Sequence, residues 1–378
     1  MSTLTLFLCA GEASGDVHGA NLMKALKKVQ PDIRFVGVGG PKMRAEGIES
    51  FIHAEKLSVI GLVEVLKNIK FFKKTLDMLT LKMIELNVDA FIPIDFPDFN
   101  LRLAKRAHNK KIKTIYYICP QVWAWRKGRI KDIENIIDFL ITIFPFEAGY
   151  FDESKLKVSY IGHPLLDEVD VKEESNAVEK GKGKLVIMPG SRHSEIDHHM
   201  PTLVEFIEKF HNKYPEVTLH IPCAQTLRLE ELYRFFSTNM RQSLKKNLVI
   251  HEQGKSSEVL KEGDAALIAS GTSTLQGVLC NIPCSIFYKL NKFTYMIGKR
   301  LIKLPYVSLV NLVAEKEVVR EHIQDEMNVE SLMEYSEKLL WDEEYRKSVY
   351  DDYASIRQKL GGKGASDRAA EEIVEFLK

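Results

Sequence analysis

The chain has 378 residues, of which 45% are hydrophobic and 28% charged, and its formal net charge at pH 7 is +1. That length exceeds one ordinary hydrophobic core and favours two domains, while the hydrophobic share is typical of a globular protein. A balanced charge gives no global attraction to nucleic acid, so any anion must be bound locally. The five scattered cysteines, with no Cys-x-x-Cys pair, indicate a reducing compartment and no structural zinc.

The chain begins with an apolar run, Leu4 to Ala10, that leads directly into Gly11-Glu12-Ala13-Ser14-Gly15-Asp16. Because no basic lead precedes it, we predict a first strand rather than a signal peptide. We predict that Asp16 caps the helix that follows, which leaves Glu12 in the turn available for chemistry. No apolar segment is long enough to span a bilayer, so we expect a protein that is soluble or lies on a membrane surface.

Apolar, β-rich runs alternate with helical segments along the whole chain. The runs are Leu4 to Cys9, Ile33 to Val38, Ala90 to Ile94, Thr114 to Ile118, Phe139 to Ile143 and Val158 to Ile161, and then Leu185 to Met188, Thr218 to Pro222, Leu248 to His251, Ala265 to Ala269 and Ser285 to Tyr288. This alternation predicts two α/β domains, each Rossmann-like and doubly wound, that face a cleft. We place the domains at 1–166 and 185–345, a charged linker at 167–184, and C-terminal helices at 346–378 that pack back across the domains.

A lysine-flanked apolar stripe lies between Leu62 and Met78, where Val65, Leu66, Ile69 and Phe72 fall at helical spacing. Such a stripe is usually the core face of a helix. The flanking lysines equally suit a helix that lies on an anionic membrane surface, and both interpretations stay open.

An acidic residue follows the apolar run Ala90 to Ile94 directly, which places Asp95 at the carboxyl end of a predicted strand. We predict Asp98, three residues on, as the cap of the next helix. Asp95 would then be available for chemistry, although both acids could be ordinary turn residues.

Further on, Trp123 and Trp125 stand beside three cations in the segment 120–129. Core packing explains such residues, and so does a surface that meets an amphiphilic phosphate.

Two strand-to-helix turns of the second half suit an anion. The first is Pro189-Gly190-Ser191-Arg192, where we predict Ser191 as the helix cap, and the second is Ser270-Gly271-Thr272. Helix amino termini and a guanidinium bind phosphate well, although each turn alone could be ordinary turn chemistry. A metal alternative rests on His193, Asp197, His198 and His199, of which His193 and Asp197 could share a helical face, but no third ligand of fixed spacing is visible, so we predict no metal site.

Taken together, these motifs resemble the lipid-A-disaccharide synthase family, membrane-associated glycosyltransferases of the two-Rossmann-domain B type. The resemblance rests on motifs along the whole chain: Gly11-Glu12-Ala13-Ser14-Gly15-Asp16, Ile94-Asp95-Phe96-Pro97-Asp98-Phe99-Asn100, Val122-Trp123-Ala124-Trp125-Arg126, Gly162-His163-Pro164, Pro189-Gly190-Ser191-Arg192 with Glu195, Ser270-Gly271-Thr272, and Tyr306-Val307-Ser308-Leu309 with Asn311. It implies that 2,3-diacylglucosamine passes from UDP to 2,3-diacylglucosamine 1-phosphate with inversion, giving lipid A disaccharide 1-phosphate and UDP without a cofactor.

The resemblance also implies roles for individual residues. Asp95 would be the general base, with Glu12 as the alternative or as a residue that orients the acceptor. The donor site would comprise Ser191, Arg192, Glu195, Ser270, Gly271, Thr272, Gln276, Asn311 and Gln324. Gln276 replaces a Glu that is usual in the family, which weakens the expected bond to ribose. The acyl-facing surface would comprise Val65, Leu66, Ile69, Phe72, Trp123 and Trp125.

The implied location is the cytoplasm, peripheral on the inner face of the cytoplasmic membrane, with an anionic membrane surface as a partner, no nucleic acid and a possible homodimer. Three alternatives remain from the residues: a UDP-sugar epimerase of the same fold, another lipid-linked glycosyltransferase, and a nucleotide-sugar-binding regulator without turnover. UDP release measured with and without a diacylated acceptor distinguishes them.

Overall fold

The computed structural model describes residues 3–54, 57, 69–125, 128–167, 169, 171–175, 177–244, 246–291, 295, 296 and 304–378. The chain divides into two compact units: unit 1 is Met1–Asp167 with Leu360–Lys378, and unit 2 is Glu168–Lys359. Among the described residues, no helix is both long and apolar enough to cross a membrane.

The described strands and helices are numbered in chain order. The strands are β1 (Leu4–Ala10), β2 (Ile33–Gly39), β3 (Glu49–His53), β4 (Ala90–Ile94), β5 (Lys113–Tyr117), β6 (Phe139–Thr142), β7 (Lys157–Tyr160), β8 (Lys184–Met188), β9 (Thr218–Pro222), β10 (Leu248–His251), β11 (Ala265–Ala269), β12 (Cys284–Tyr288) and β13 (Glu321–Ile323). The helices are α1 (Ala13–Val29), α2 (Pro41–Ala45), α3 (Ile69–Glu85), α4 (Pro97–Asn109), α5 (Val122–Trp125), α6 (Arg129–Ile136), α7 (His193–Lys213), α8 (Leu229–Tyr233), α9 (Thr238–Ser243), α10 (Ser256–Glu262), α11 (Ser273–Leu279), α12 (Leu309–Ala314), α13 (Val329–Trp341), α14 (Glu343–Lys359) and α15 (Ala365–Leu377).

Unit 1 is built on a parallel sheet with the strand order β3-β2-β1-β4-β5-β6-β7. Its central strand β4 is apolar and completely buried, with five buried residues in succession. This is the pattern of a sheet covered on both faces, as predicted. The winding reverses between β1 and β4, and ligands of open α/β sheets bind beyond the carboxyl ends of the strands at that point.

The last helix of the chain, α15, belongs to unit 1 and packs against α1. Its first turn is held by Asp167, whose carboxylate accepts hydrogen bonds from the backbone N–H groups of Gly364 (2.6 Å) and Ser366 (3.1 Å). Arg368 donates from Nε to the carbonyl oxygen of Ile161 at 2.8 Å. Unit 1 is therefore assembled from both ends of the chain.

Unit 2 repeats the architecture with the parallel order β10-β9-β8-β11-β12-β13 and a winding reversal between β8 and β11. Its core lies under α7 and α13. Residues 168–184, which the sequence predicts as part of a linker, are assigned to this unit, where Ser175 accepts a hydrogen bond from the buried Arg346 of α14 at 2.9 Å. The prediction of two doubly wound α/β domains is confirmed.

Asp16 does not cap α1, so that prediction is wrong. It lies inside α1 and is buried, and its carboxylate accepts from the backbone N–H groups of Lys42 and Met43, both at 2.9 Å. Those groups are the unpaired donors at the start of α2, so Asp16 caps a helix 25 residues further along the chain.

Candidate active site

The two acids singled out in unit 1 follow adjacent strands. Glu12 comes after β1 and Asp95 directly after β4, and these strands pair in parallel with Ala10 opposite Ile94. Both carboxylates therefore stand at the carboxyl edge of the sheet, on the two sides of its winding reversal. Glu12 is exposed, whereas Asp95 is half-buried.

Asp95 and Phe96 adopt left-handed backbone conformations in succession, with φ of 46° and 50°. Each such residue costs about 1–3 kcal/mol unless its surroundings enforce the conformation. Here the Asp95 carbonyl oxygen accepts from the Asn100 amide and from the Tyr116 hydroxyl, both at 2.8 Å, and both of those side chains are buried. The backbone strain thus coincides with the proposed catalytic carboxylate.

The glycine turn of β1 makes room for this bend. A Cβ atom added to Gly11 would lie 2.3 Å from the Phe96 ring, which is far inside van der Waals contact. Phe96 in turn packs against Phe99, with ring centroids 5.8 Å apart. Position 11 therefore requires glycine, because the Phe96 ring of the turn after β4 approaches it closely. This contact joins the Gly11–Asp16 motif to the Ile94–Asn100 motif.

The surroundings of Asp95 make it a stronger base than an ordinary carboxylate. Burial, and secondly the charge of Glu12, raise the pKa of Asp95 to about 6, although a hydrogen bond from the Phe96 backbone opposes the rise. A carboxylate with that pKa is ionised at neutral pH and still takes up a proton readily.

Asp98 is not the helix cap that the sequence predicts. The capping position of α4 is held by Phe96, Pro97 occupies the first turn, and Asp98 lies within the helix, paired with Arg129. Proline starts a helix well because its fixed φ suits that position and its missing N–H would be unpaired there anyway.

A buried acid that the sequence analysis overlooked lies beneath the tryptophan motif. Glu147 is completely buried, and its carboxylate accepts from the indole Nε1 of Trp123 (3.1 Å) and from the backbone of Ile143 (3.0 Å) and Phe144 (3.1 Å). Burial raises the pKa of Glu147 to about 7. The only sequence signal was one acid inside an aromatic stretch, which spacing alone does not distinguish from a surface residue.

Trp123 is part of the core and does not face acyl chains, so that prediction is wrong. Its side chain is buried and meets Phe146 edge-on with centroids 4.9 Å apart. The side chain of Trp125 lies outside the described residues.

The Gly-His-Pro motif contributes another buried side chain, His163. Its ring accepts a hydrogen bond from the Leu165 backbone N–H at 3.2 Å, and burial lowers the pKa of His163 to about 3.

The predicted membrane stripe is described only in part. Val65 and Leu66 lie outside the described residues, as does the side chain of Ile69. Phe72 is half-buried and packs against the core of unit 1, with its ring 5.9 Å from that of Phe99, and the lipid-facing role assigned to it stays a prediction. Among the described side chains of α3, the large apolar ones that are exposed are Phe71, Leu81 and Ile84.

In unit 2, the turn after β8 is organised by Glu195. Its buried carboxylate accepts from the backbone N–H of Ser191 (3.0 Å), the backbone N–H of Arg192 (3.2 Å) and Nη1 of Arg192 (2.7 Å). Arg192, not Ser191, occupies the capping position of α7, so the prediction for Ser191 is wrong. The Arg192 side chain nevertheless stays 75% exposed.

The second turn, Ser270–Gly271–Thr272, follows β11 on the other side of the winding reversal. The Ser270 backbone donates to the Phe287 carbonyl at 2.9 Å, which ties the turn to the end of β12. Gln276 is half-buried on α11, and within the described part of the chain no hydrogen bond to its side chain amide is recorded. Both turns therefore meet at one edge of the sheet, as the anion-site prediction requires.

Asn311 and Gln324 hold backbone segments in place. Asn311 is completely buried, donates to the Val319 carbonyl (2.8 Å) and to Glu321 (2.9 Å), and accepts from the backbone of Val318 and Val319. Both amide hydrogens are thereby used, which rules out Asn311 as a donor to a ligand. Gln324 exchanges two hydrogen bonds with the Leu290 backbone, at 2.6 Å and 3.2 Å.

The histidine and acid at the start of α7 are also explained by protein contacts. His193 pairs with Glu231 at 3.0 Å, and Asp197 pairs with Arg234. Among the residues that the structure describes, no three His, Cys, Asp or Glu side chains are grouped so that they could hold a metal ion.

Comparison with known proteins identifies the family. The family model of lipid-A-disaccharide synthetase matches residues 6–374. The lipid-A-disaccharide synthase of Nitrosococcus oceani is 38% identical over 376 residues, which are 98% of this chain and 95% of that protein. The enzyme of the same name from Pseudomonas putida KT2440 is 38% identical over 384 residues, covering all of both chains. The resemblance inferred from the motifs is confirmed.

Solved structures show the fold type. The glycotransferase of kitacinnamycin superposes with a TM-score of 0.64 at 14% identity, covering both chains completely. The UDP-GlcNAc 2-epimerase of Neisseria meningitidis, bound to UDP-GlcNAc, gives 0.59 at 11% identity, covering 100% of this chain and 99% of that one. At such identities the likeness concerns the fold alone, the glycosyltransferase-B type with two parallel-sheet units. The relatives decide the rest: this chain belongs to the lipid-A-disaccharide synthetase family and is a glycosyltransferase of lipid A biosynthesis.

Proposed function

We propose that the protein joins UDP-2,3-diacylglucosamine to 2,3-diacylglucosamine 1-phosphate, with inversion at the anomeric carbon, to give lipid A disaccharide 1-phosphate and UDP. The observation that carries the proposal is the environment of Asp95 at the winding reversal of unit 1. Its backbone is strained, its side chain is half-buried, and the pKa of its carboxyl is raised to about 6. An epimerase or a regulator does not join a second sugar to the first, so neither needs a base that takes a proton from an acceptor hydroxyl.

Asp95 takes the proton from the attacking hydroxyl of the acceptor as the new glycosidic bond forms. Glu12, on the neighbouring strand end, raises the basicity of Asp95 by its charge and orients the acceptor. The alternative, in which Glu12 is the base and Asp95 its partner, is decided by the variants described in the Discussion.

The donor diphosphate lies against the two turns of unit 2. Arg192 and the backbone at the starts of α7 and α11, including Ser191, Ser270, Gly271 and Thr272, stabilise the negative charge that grows on the departing UDP. The exposed guanidinium of Arg192 supports this role, and Gln276 accepts from ribose through its single amide oxygen. Glu195, Asn311 and Gln324 support the site by holding its loops.

The acceptor and the donor both carry acyl chains, so the protein works at the inner face of the cytoplasmic membrane. The exposed Phe71, Leu81 and Ile84 of α3, together with the exposed Lys70, Lys73 and Lys74, form a surface suited to anionic lipid. A homodimer in the cytoplasm is part of this proposal.

The deciding experiment is UDP release from UDP-2,3-diacylglucosamine in the presence and absence of the diacylated acceptor. Release that needs the acceptor and yields a disaccharide supports the proposal. Acceptor-independent conversion of the UDP-sugar indicates an epimerase, and UDP binding without any turnover indicates a regulator.

A further inference from the structure

A buried histidine of α7 connects the donor turn to a second strand end. His199 is completely buried, with Nδ1 2.7 Å from the Pro189 carbonyl oxygen and Nε2 3.1 Å from the Lys289 backbone nitrogen. A carbonyl can only accept and an amide N–H can only donate, so Nδ1 carries the proton and Nε2 accepts. His199 is therefore neutral in this arrangement, with one tautomer selected.

The environment holds this ring firmly. The rings of Phe287 and Tyr288 meet it edge-on, with centroids 5.2 Å and 5.5 Å away. Burial keeps the pKa of His199 below its ordinary value, which favours the neutral form that both hydrogen bonds need. A second bond between the same segments joins Lys289 Nζ to the Thr202 hydroxyl of α7 at 3.4 Å.

The strand end that His199 reaches also holds the other donor turn. Ser270 donates to the Phe287 carbonyl, and Leu290 is clamped by Gln324. The end of β12 is thus a common anchor: His199 fixes the turn after β8 to it, and Ser270 fixes the turn after β11.

The orientation of the Pro189 carbonyl sets the direction of the chain that follows it. It shares one rigid peptide plane with the Gly190 N–H, so a rotation of the carbonyl rotates that N–H and redirects the chain towards Ser191 and Arg192. Gly190 has φ of 121°, and a Cβ there would lie 2.7 Å from the Glu195 carboxylate. Glu195 accepts from the N–H groups of the turn, His199 donates to its Pro189 carbonyl, and the Thr226 hydroxyl donates to its Ser191 carbonyl.

We propose that His199 is a positioning residue of the donor site, which orients the Pro189–Arg192 turn through its Nδ1–H bond and thereby preorganises it for a nucleoside diphosphate. This inference rests on the proposed function, because it takes that turn to bind the diphosphate of the donor.

The test compares UDP affinity, measured by calorimetry on the full chain, among substitutions that each keep a different bond. H199N keeps a donor close to Nδ1, H199Q keeps an acceptor close to Nε2, and H199L keeps neither. We expect H199N to bind UDP within about threefold of the unmodified protein, and H199Q and H199L to bind it roughly 10- to 100-fold more weakly, as a misplacement of about 1 Å does. The KM for the acceptor should not change.

H220L is the matched control, since His220 is a buried histidine of the same unit whose ring contacts His251 and Thr218. It should keep its UDP affinity even if its melting temperature falls. Equal losses in H199N and H199Q, unchanged affinity in H199L, or an equal loss in H220L would each overturn the inference. If H199L does not fold, the H199N and H199Q pair decides. Failure of the unmodified protein to bind UDP would instead overturn the proposed function.

Discussion

At the scale of single residues, Asp95 combines backbone strain, burial and a neighbouring charge. Two left-handed residues in succession, at Asp95 and Phe96, would be disfavoured on their own, but Asn100 and Tyr116 hold the Asp95 carbonyl from two directions. Strain that persists under such constraint is typical of functional sites. The backbone of Asp95 is consequently held in place before any substrate arrives.

The first prediction is that Asp95→Asn lowers turnover by about 10²- to 10⁴-fold, because the amide cannot accept the proton. At pH 8 the same change should raise stability on the order of 1 kcal/mol, since it removes a half-buried charge and asparagine tolerates the left-handed conformation. Steady-state rates and thermal melts measure the two effects.

Asp98→Asn is the matched control, because the exposed Asp98–Arg129 pair contributes little. If Asp98→Asn abolishes turnover while Asp95→Asn does not, the roles of the two acids are reversed. If only Glu12→Gln is inactive, the base is Glu12.

The pH dependence follows from the raised pKa of Asp95, which is about 6. The base is ionised above that value, so turnover should fall as the pH drops through about 6. The free energy of unfolding changes in the opposite direction. Because the folded state binds the Asp95 proton more tightly than the unfolded state, this carboxyl contributes stability that is fully present below its unfolded pKa and is lost as the pH rises through about 6. Glu147, with a pKa near 7, acts in the same sense.

The second prediction concerns the donor turn. Arg192→Ala should slow turnover by about 10²- to 10³-fold, because one preorganised donor to the leaving diphosphate is lost. Arg192→Lys should recover only part of the rate, since an ammonium lacks the fork. Because Arg192 also donates to the buried Glu195 carboxylate, Arg192→Ala should lower the melting temperature as well, and the rates are therefore compared at a temperature where both proteins are folded. Normal turnover and UDP affinity in Arg192→Ala would exclude this role.

At the scale of elements, α3 shows how a helix can bury one face and expose apolar residues on another. Phe72, Leu76 and Leu79 belong to the core of unit 1, whereas Phe71, Leu81 and Ile84 are exposed. The sequence period leaves a core face and a lipid face both open, because it does not say how much of the helix surface the rest of the unit covers.

The third prediction separates these faces. Replacement of Phe71, Leu81 and Ile84 together by serine should reduce binding to anionic vesicles in a sedimentation assay and leave the melting temperature nearly unchanged, because these side chains already contact water. Phe72→Ser should instead destabilise unit 1 by about 2–4 kcal/mol. Undiminished sedimentation of the triple variant would show that this surface of α3 does not meet lipid.

At the scale of the whole molecule, unit 1 uses both ends of the chain. Residues 360–378 complete it, and Asp167 holds the start of α15 from about 200 positions earlier in the sequence. The sequence places the C-terminal helices across both domains; in the structure α14 contacts α11 and α12 of unit 2, while α15 packs on α1 of unit 1. The domain boundary is therefore discontinuous.

The fourth prediction follows from that arrangement. Asp167→Ala should destabilise unit 1 by about 1–2 kcal/mol, because the first N–H groups of α15 lose their acceptor. Asp167→Asn, which keeps an acceptor oxygen, should cost less. Thermal unfolding and hydrogen exchange in α1 and α15 measure the effect, while UDP affinity, a property proposed for unit 2, should not change. Equal stability of Asp167→Ala and the unmodified protein would contradict this role.

The sequence by itself determined the fold class, the two doubly wound halves, the family and the turns where the two acids and the predicted anion site stand. It could do so because buried parallel strands require uninterrupted apolar runs and because turn residues follow them locally. Tertiary structure alone decided which partner each side chain meets. Asp16 caps α2, Glu195 supplies the bonds expected of Ser191, and Trp123 is buried against Glu147. Some of these contacts join residues that are distant in the chain, and in others one of several nearby acceptors is used. In both cases the packing of the folded chain decides which partner is met.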